Sequence, residues 1–444
     1  MNIPINVDAR KRADDGLARI DVTLPGSLAL EVALPFRDLF NRFGSPTPTA
    51  LETLVLAASC YAIDKTVARA GSADRWTRNL DVEFPVVDPP RWQSATPALQ
   101  QALSFLSGDE WTMSFTTMTG RAFRPKRDRQ SRSLVWLPEV DEVCLFSGGL
   151  DSLAGAIDLL ASGKRVLLIG HHDTGGPQSQ QSALYQGMRP KYLGKVELHQ
   201  VWISQRPGKA NDTTLRSRSF IFLAAGFFAA KALGDDVPVC APENGVIAVN
   251  VPLTPSRMGS CSTRTMHPFF LTNLQAALRP LGMTNPLHTP FALSTKGECL
   301  ERCADVALLK RLADLSVSCS HPSRRQYWNR RASRNCGYCV PCIYRRAALY
   351  SIGVDEGMKY GRDICAGELS LDSPEESAND FRAIVSYLRR DPSVEEIQRE
   401  IHAIAPIASA KEHARTVRRG IEEVRAFLRG QCVRRVRDRL AGAI

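Results

Sequence analysis

The chain has no apolar run long enough for a bilayer. Its longest such stretch, Phe220 to Ala230, reads instead as a buried helix. Its opening Met-Asn-Ile-Pro has no basic segment leading into an apolar one, so no secretory signal is expected and the cytoplasm is the expected location. It also lacks internal repeats and low-complexity tracts, so its organisation must be read from shifts of pattern. Acid is scarce relative to base: 46 Asp+Glu face 57 Lys+Arg, leaving a net charge of +11. That balance favours an acidic partner, whether nucleotide, nucleic acid or acidic protein surface, without choosing among them. With 44% apolar and 23% charged residues, wholesale disorder is excluded. A length of 444 residues suits two or three domains with full-sized cores, so disulfide staples are not needed.

Three textures follow one another. Residues 1–140 mix expected strands at Ala18–Leu24, Leu80–Val87 and Glu110–Thr119 with amphipathic helices near Thr49–Lys65 and Pro97–Leu106, an α+β domain. It ends in a basic run, Arg121 to Arg132, which reads as a solvated linker rather than a phosphate-binding stripe. Residues 141–365 alternate strand and helix, starting from strand Glu142–Phe146, and predict an α/β fold with a parallel sheet and helices on both faces. Residues 366–444 form a helical, basic C-terminal extension, with Val417, Ile421, Val424 and Leu428 on one stripe that docks it.

The densest chemistry lies in Ser147-Gly148-Gly149-Leu150-Asp151-Ser152, between an apolar strand and a helix. Backbone N–H groups at a helix start point at the strand's carboxyl end and form an anion cradle. The glycines let phosphate oxygens approach, Ser147 and Ser152 add hydroxyls, and Asp151 suits a Mg²⁺ that accompanies a nucleoside triphosphate. The spacing is neither Gly-x4-Gly-Lys-Ser/Thr nor Gly-x-Gly-x-x-Gly. Two further segments bring cations. Arg218 opens the apolar helix, and Lys296 lies in a helical first turn fixed by the capping-box pair Thr295 and Glu298, from which it could reach the β and γ phosphates.

Of twelve cysteines, Cys319, Cys336, Cys339 and Cys342 stand apart, with sixteen residues in the first gap and two in each of the others. Four thiolates complete a tetrahedral Zn²⁺ shell, a closed and structural site. His321 is near enough to compete but is not needed. Cys60, Cys144, Cys240 and Cys432 read as buried and unpaired, and Cys299 and Cys303 as helical core.

The Ser147–Ser152 run resembles the PP-loop of ATP pyrophosphatases. Together with Arg218, the Thr289-Pro-Phe…Thr295-Lys296-Gly-Glu298 stretch and the terminal Cys-Gly-Tyr-Cys-Val-Pro-Cys, it resembles the 7-cyano-7-deazaguanine synthase (QueC) family over residues 141–350. The size of the chain, the order of its parts and the Pro242–His267 segment look like the QueC-like proteins of bacterial anti-phage systems, the QatC group in particular. The resemblance implies an adenine nucleotide alpha hydrolase-like fold, cleavage of ATP to AMP and pyrophosphate, and adenylation of a 7-carboxy-7-deazaguanine-like carboxylate. It implies amide formation on an amine, here expected to belong to a partner protein, with ammonia as the queuosine-pathway alternative. A tRNA-modifying PP-loop enzyme and a non-catalytic nucleotide-binding scaffold remain as other readings. The expected cofactors are ATP, Mg²⁺ and Zn²⁺, nucleic acid is a less favoured partner, and no membrane is involved. On this reading Gly170, His171 and His172 lie beside adenine, Arg218 and Lys296 neutralise the departing pyrophosphate, and Glu243, Asn244, Arg257, Arg264 and His267 face the deazaguanine, with His267 a candidate base.

Overall fold

A computed structural model describes residues 2–8, 17–24, 28–44, 47–118, 139–206, 216–257, 264–321 and 324–442. The basic run Arg121–Arg132 therefore lies outside the described residues. The first part of the chain runs β1 (Asn2–Asp8), β2 (Ala18–Leu24), β3 (Leu28–Leu34), α1 (Phe36–Phe43), α2 (Pro48–Thr66), β4 (Asn79–Val86), α3 (Pro89–Ser107) and β5 (Glu110–Thr117). The second runs β6 (Glu142–Leu145), α4 (Leu150–Ala161), β7 (Val166–His172), α5 (Gly175–Met188), β8 (Val196–Trp202), β9 (Ser204–Arg206), α6 (Arg218–Leu233), β10 (Val239–Cys240), α7 (Gly245–Val249), α8 (Pro268–Leu278) and β11 (Leu287–His288). Helices α9 (Lys296–Glu301), α10 (Val306–Leu312), α11 (Val340–Ser351), α12 (Asn379–Arg390), α13 (Val394–Ile404), α14 (Ala410–Gln431) and α15 (Arg434–Ala441) complete it.

The second part is α/β. Its five strands are all parallel, in the order β11-β10-β6-β7-β8. Every residue of β7 is buried, as expected of a strand covered on both faces. The chain leaves β6 toward β7 and β8 on one side and later returns to β10 and β11 on the other, so the strand order reverses between β6 and β10. A crevice opens at such a switch point, at the carboxyl ends of the strands, and the Ser147–Ser152 turn follows β6 directly into it.

The first part is a mixed six-stranded sheet, β5-β4-β1-β2-β3-β9, covered by helices. Alternation in β4 buries Leu80, Val82, Phe84 and Val86 on one face, and β5 does the same with Trp111, Met113 and Phe115. Helix α2 is buried on nearly every side, because it lies among the sheet and α6 rather than on a surface. Helix α3 begins eight residues before the expected Pro97: Asp88 caps the Arg91 N–H at 3.3 Å, and two prolines fill the first turn.

The boundary expected near residue 140 is not a gap between cores. Strand β9, from the α/β part, pairs antiparallel with β3 and extends the first sheet. One apolar cluster runs from Val22, Val32 and Leu54 through Phe220 and Phe227 to Leu145 and Ile169. Across the same joint, Arg78, Asp109 and Asp64 are fully buried. Arg78 meets Asp109 at 2.6 Å and Asp64 at 2.6 Å, Arg69 meets Asp109 at 2.8 Å, and the Ser217 hydroxyl donates to Asp64 at 2.7 Å. The first part thereby fixes the residue before Arg218.

The C-terminal helices have their own core. Val417, Ile421, Val424 and Leu428 are buried in it, as the stripe predicts, on a helix that packs against α7, α11 and α13. Contrary to the expectation for Cys432, it forms a disulfide with Cys365, tying the end of α14 to the loop before α12. Among the described residues, no helix is long and apolar enough to cross a membrane.

Candidate active site

The turn after β6 is built as a cradle whose own hydroxyls fill it. Gly148 has φ +85°, which a side-chain-bearing residue rarely adopts. The Ser152 hydroxyl accepts from the Gly148 N–H at 3.2 Å, and the Ser147 hydroxyl accepts from the Gly149 N–H at 3.3 Å. The Leu150 N–H points at the hydroxyl of Ser318, 3.5 Å away. Three successive backbone donors at the start of α4 therefore hold three hydroxyl oxygens, partners that phosphate oxygens can replace.

Asp151, in the first turn of α4, is buried, and both its oxygens are engaged. Lys296 Nζ reaches one at 2.5 Å, and the Asn244 side-chain amide donates to the other at 2.7 Å. The capping box expected at Thr295 and Glu298 is present, with the Glu298 N–H donating to Thr295 at 3.1 Å and the Thr295 N–H to Glu298 at 3.0 Å. It places Lys296 as the spacing predicted, but the ammonium lies on Asp151. Helix α14 secures that turn from outside: Glu423 accepts from the Thr295 hydroxyl and, at 3.2 Å, from the Gly297 N–H, while Arg419 pairs with Glu298 at 2.6 Å.

The other residues expected at the site have the following surroundings. The surface over Gly170 is not open, because a Cβ there would meet the side chain of Gln181 at 2.2 Å. His171 is buried edge-on between Tyr61 and Phe222. Burial, and after it the Arg218 charge, lowers its pKa to about 3, so the ring is neutral. His172 is likewise buried as the last residue of β7. Arg218 sits at the end of β7, 3.3 Å from His171 Nδ1 and 3.2 Å from its carbonyl, rather than on the Ser147–Ser152 turn.

On the substrate side, Asn244 is occupied: its carbonyl caps α7 at Ile247 while its amide holds Asp151. Arg257 is paired with Asp380 of α12 at 2.7 Å. Arg264 donates to the Phe105 carbonyl at 2.7 Å and lies over that ring. His267 is the N-cap of α8, its Nδ1 accepting from the Phe269 N–H at 3.2 Å. Burial lowers its pKa to about 3, so the ring is neutral. Among the described residues none of these three bonds to the Ser147–Ser152 turn. At Glu243, Thr265 donates to the carboxyl at 3.1 Å, and burial, with Asp151 adding to it, pushes its pKa up to about 7.

Residues the sequence did not single out complete the site. Gln180 donates to the Gly148 carbonyl and fills the space beside Gly148. Gln181 donates to the His171 carbonyl at 3.3 Å and reaches the Ser147 carbonyl at 3.5 Å. Tyr61 and Lys65 of α2 hold Asp173 at 3.0 and 3.2 Å. None of these carried a sequence signal, whereas Ser318, which faces the Leu150 N–H, stands next to the first cysteine of the cluster.

The four cysteines converge as their spacing predicts. Their sulfurs all lie within 4.8 Å of one another, and Cys336 and Cys342 are 3.7 Å apart. Tetrahedral Zn–S bonds of about 2.3 Å put sulfurs about 3.8 Å apart, so the group fits zinc. The Cys336 N–H points at Cys319 Sγ (3.4 Å) and the Cys339 N–H at Cys336 Sγ (3.3 Å), the orientation thiolates need. This centre is joined to the cradle: the Val317 N–H donates to the Gly148 carbonyl at 3.1 Å, and Asn335 accepts from the Ser318 N–H at 2.9 Å. Comparison with protein-family models, with curated proteins and with solved structures gives no match for the chain.

Proposed function

We propose that the chain is an adenylating carbon–nitrogen ligase of PP-loop type. It activates a 7-carboxy-7-deazaguanine-like carboxylate with ATP and transfers the acyl group to an amine of a partner protein, in the anti-phage setting that the sequence resemblance implies. The observation that carries this reading is the Ser147–Ser152 turn. It presents three exchangeable backbone donors and a buried Asp151–Lys296 pair at the switch point of a parallel sheet.

In this reading a carboxylate oxygen attacks the α-phosphorus, the bond to the bridging oxygen of the β-phosphate breaks, and pyrophosphate leaves with that electron pair. The N–H groups of Gly148, Gly149 and Leu150 exchange their hydroxyl partners for phosphate oxygens. Asp151 would hold Mg²⁺, which supplies charge neutralisation at the phosphates. Lys296, whose ammonium Asp151 now retains, is then released toward the same charge. The amine next attacks the acyl carbon, AMP departs with the electrons of the broken C–O bond, and the amine's proton passes to solvent. The Cys319, Cys336, Cys339 and Cys342 centre keeps Ser318 and Val317 against the turn.

Incubation with ATP, Mg²⁺ and 7-carboxy-7-deazaguanine, following pyrophosphate and the mass of candidate partner proteins, tests the proposal. Pyrophosphate release that depends on the deazaguanine is expected. Release of ADP, or turnover indifferent to the deazaguanine, overturns it.

A further inference from the structure

Beside the cradle, at the carboxyl ends of β10 and β11, lies a cavity of about 180 Å³. Its mouth carries the exposed side chains of Thr272 and Gln275 on α8; its inner wall carries Ala248, Glu243 and His413. At this size it is smaller than the roughly 300–1,000 Å³ pockets of drug-sized ligands, so it suits a ring system and not a whole nucleotide.

The wall is polar where the surroundings are apolar. The His413 ring is 2% exposed, and its buried Nδ1 has no hydrogen-bond partner among the described residues. Burial lowers its pKa, so the imidazole is neutral and offers one donor and one acceptor. Glu243 takes only the Thr265 hydroxyl, which leaves lone pairs on both carboxyl oxygens. Buried polar groups are nearly always satisfied, and an imidazole and a carboxyl with spare capacity around one cavity call for a ligand with donors and acceptors on a flat edge. The cavity also adjoins the phosphate side, because the next residue, Asn244, holds Asp151.

We propose that this cavity takes the nitrogen-rich heterocycle of the substrate, and that His413, supplied by the C-terminal extension, is a specificity-determining residue that hydrogen-bonds the ring opposite the edge read by Glu243. The inference rests on the adenylating reading and deepens it, since it assigns the extension a part in substrate choice.

Calorimetry on the full chain tests it, with 7-carboxy-7-deazaguanine, guanine and benzoate as probes and ATP as the control ligand. Wild type is expected to bind both nitrogen heterocycles and not benzoate. His413→Phe should weaken both by about tenfold or more and His413→Gln should recover most of that, with ATP affinity held within about twofold in each. Unchanged heterocycle affinity in His413→Phe overturns the assignment while leaving the adenylating reading intact. Equal losses for ATP and heterocycle in both variants mark His413 as a structural residue and overturn it too. Wild type that binds ATP but no heterocycle removes the pocket together with the substrate half of the proposed function, and wild type that binds neither removes that function altogether.

Discussion

Asp151 has two oxygens, and the protein commits both, one to Lys296 and one to Asn244. Removing one partner of a buried ion pair strands the other, at about 3–5 kcal/mol. Lys296→Met should therefore lower the melting temperature and abolish pyrophosphate release, whereas Lys296→Met with Asp151→Asn should regain much of the stability and none of the activity. Thermal melts beside a pyrophosphate assay separate the two effects. Glu243 gives a prediction in pH. Its carboxyl titrates near 7 in the fold against an ordinary value near 4.5, so the folded state binds the extra proton and stability falls as pH rises from about 4.5 through about 7. Glu243→Gln should flatten that slope and gain about 1–3 kcal/mol at pH 8 relative to pH 5, read from melts at the two values. At this scale the sequence disclosed residue type and local turn but not destination. Thr295 and Glu298 announced where Lys296 would start a helix, yet nothing local pointed its ammonium at Asp151, 145 positions away. His267 shows the converse: standing before Pro268 and an apolar helix it had the signature of a cap, and its chemistry drew the reading toward a base.

Among elements, local signals succeeded where the chain is punctuated and failed where punctuation misleads. Strand β4 alternates cleanly, and its limits were legible to within a residue. In α3, Pro97 looks like a helix start and is an interior residue, because the stronger start signal, Asp88 followed by two prolines, lies upstream. Strands β10 and β11 have two residues each, too short for any periodicity, and β11 is recognisable only by its pairing with β10. The cysteine centre is an element in its own right, since it holds the Val317–Ser318 segment on the cradle. The chain should carry one zinc ion, released on thiol titration. Cys339→Ser or chelation should lower the melting temperature by about 5 °C or more and weaken ATP binding, with α6 and the first sheet retained by circular dichroism. A chain that keeps both its melting point and its ATP affinity after complete metal removal would contradict this.

Across the whole molecule, the three stretches of different texture are tied together by shared strands, core and ion pairs. The first sheet borrows β9, shares its core with α6, and sends Tyr61 and Lys65 to the end of β7. The extension contributes Glu423 and Arg419 to the turn of Lys296. Arg78→Met, at the buried joint, should cost about 3–5 kcal/mol by leaving Asp64 and Asp109 short of a counter-charge, visible as a lower urea midpoint. A fragment ending at residue 140 should be insoluble when expressed alone, because its sheet ends in an open β3 edge and its apolar face has lost α6. A soluble, cooperatively melting fragment would restore the idea of an independent domain. No pattern in residues 1–140 revealed this dependence, since compositional breaks mark where texture changes and not where a core closes.

The three residues of β9 also set an order of events during synthesis. Their partner strand β3 is finished by Leu34, but Ser204–Arg206 follow some 170 positions later, after three strands of the parallel sheet. A domain that usually folds as soon as it leaves the ribosome here has to wait with one edge unpaired until the first three strands of the parallel sheet have been made. The edge of β3 thus lacks its partner strand for most of the first half of translation, the interval in which an unpaired strand edge is open to pairing with other chains.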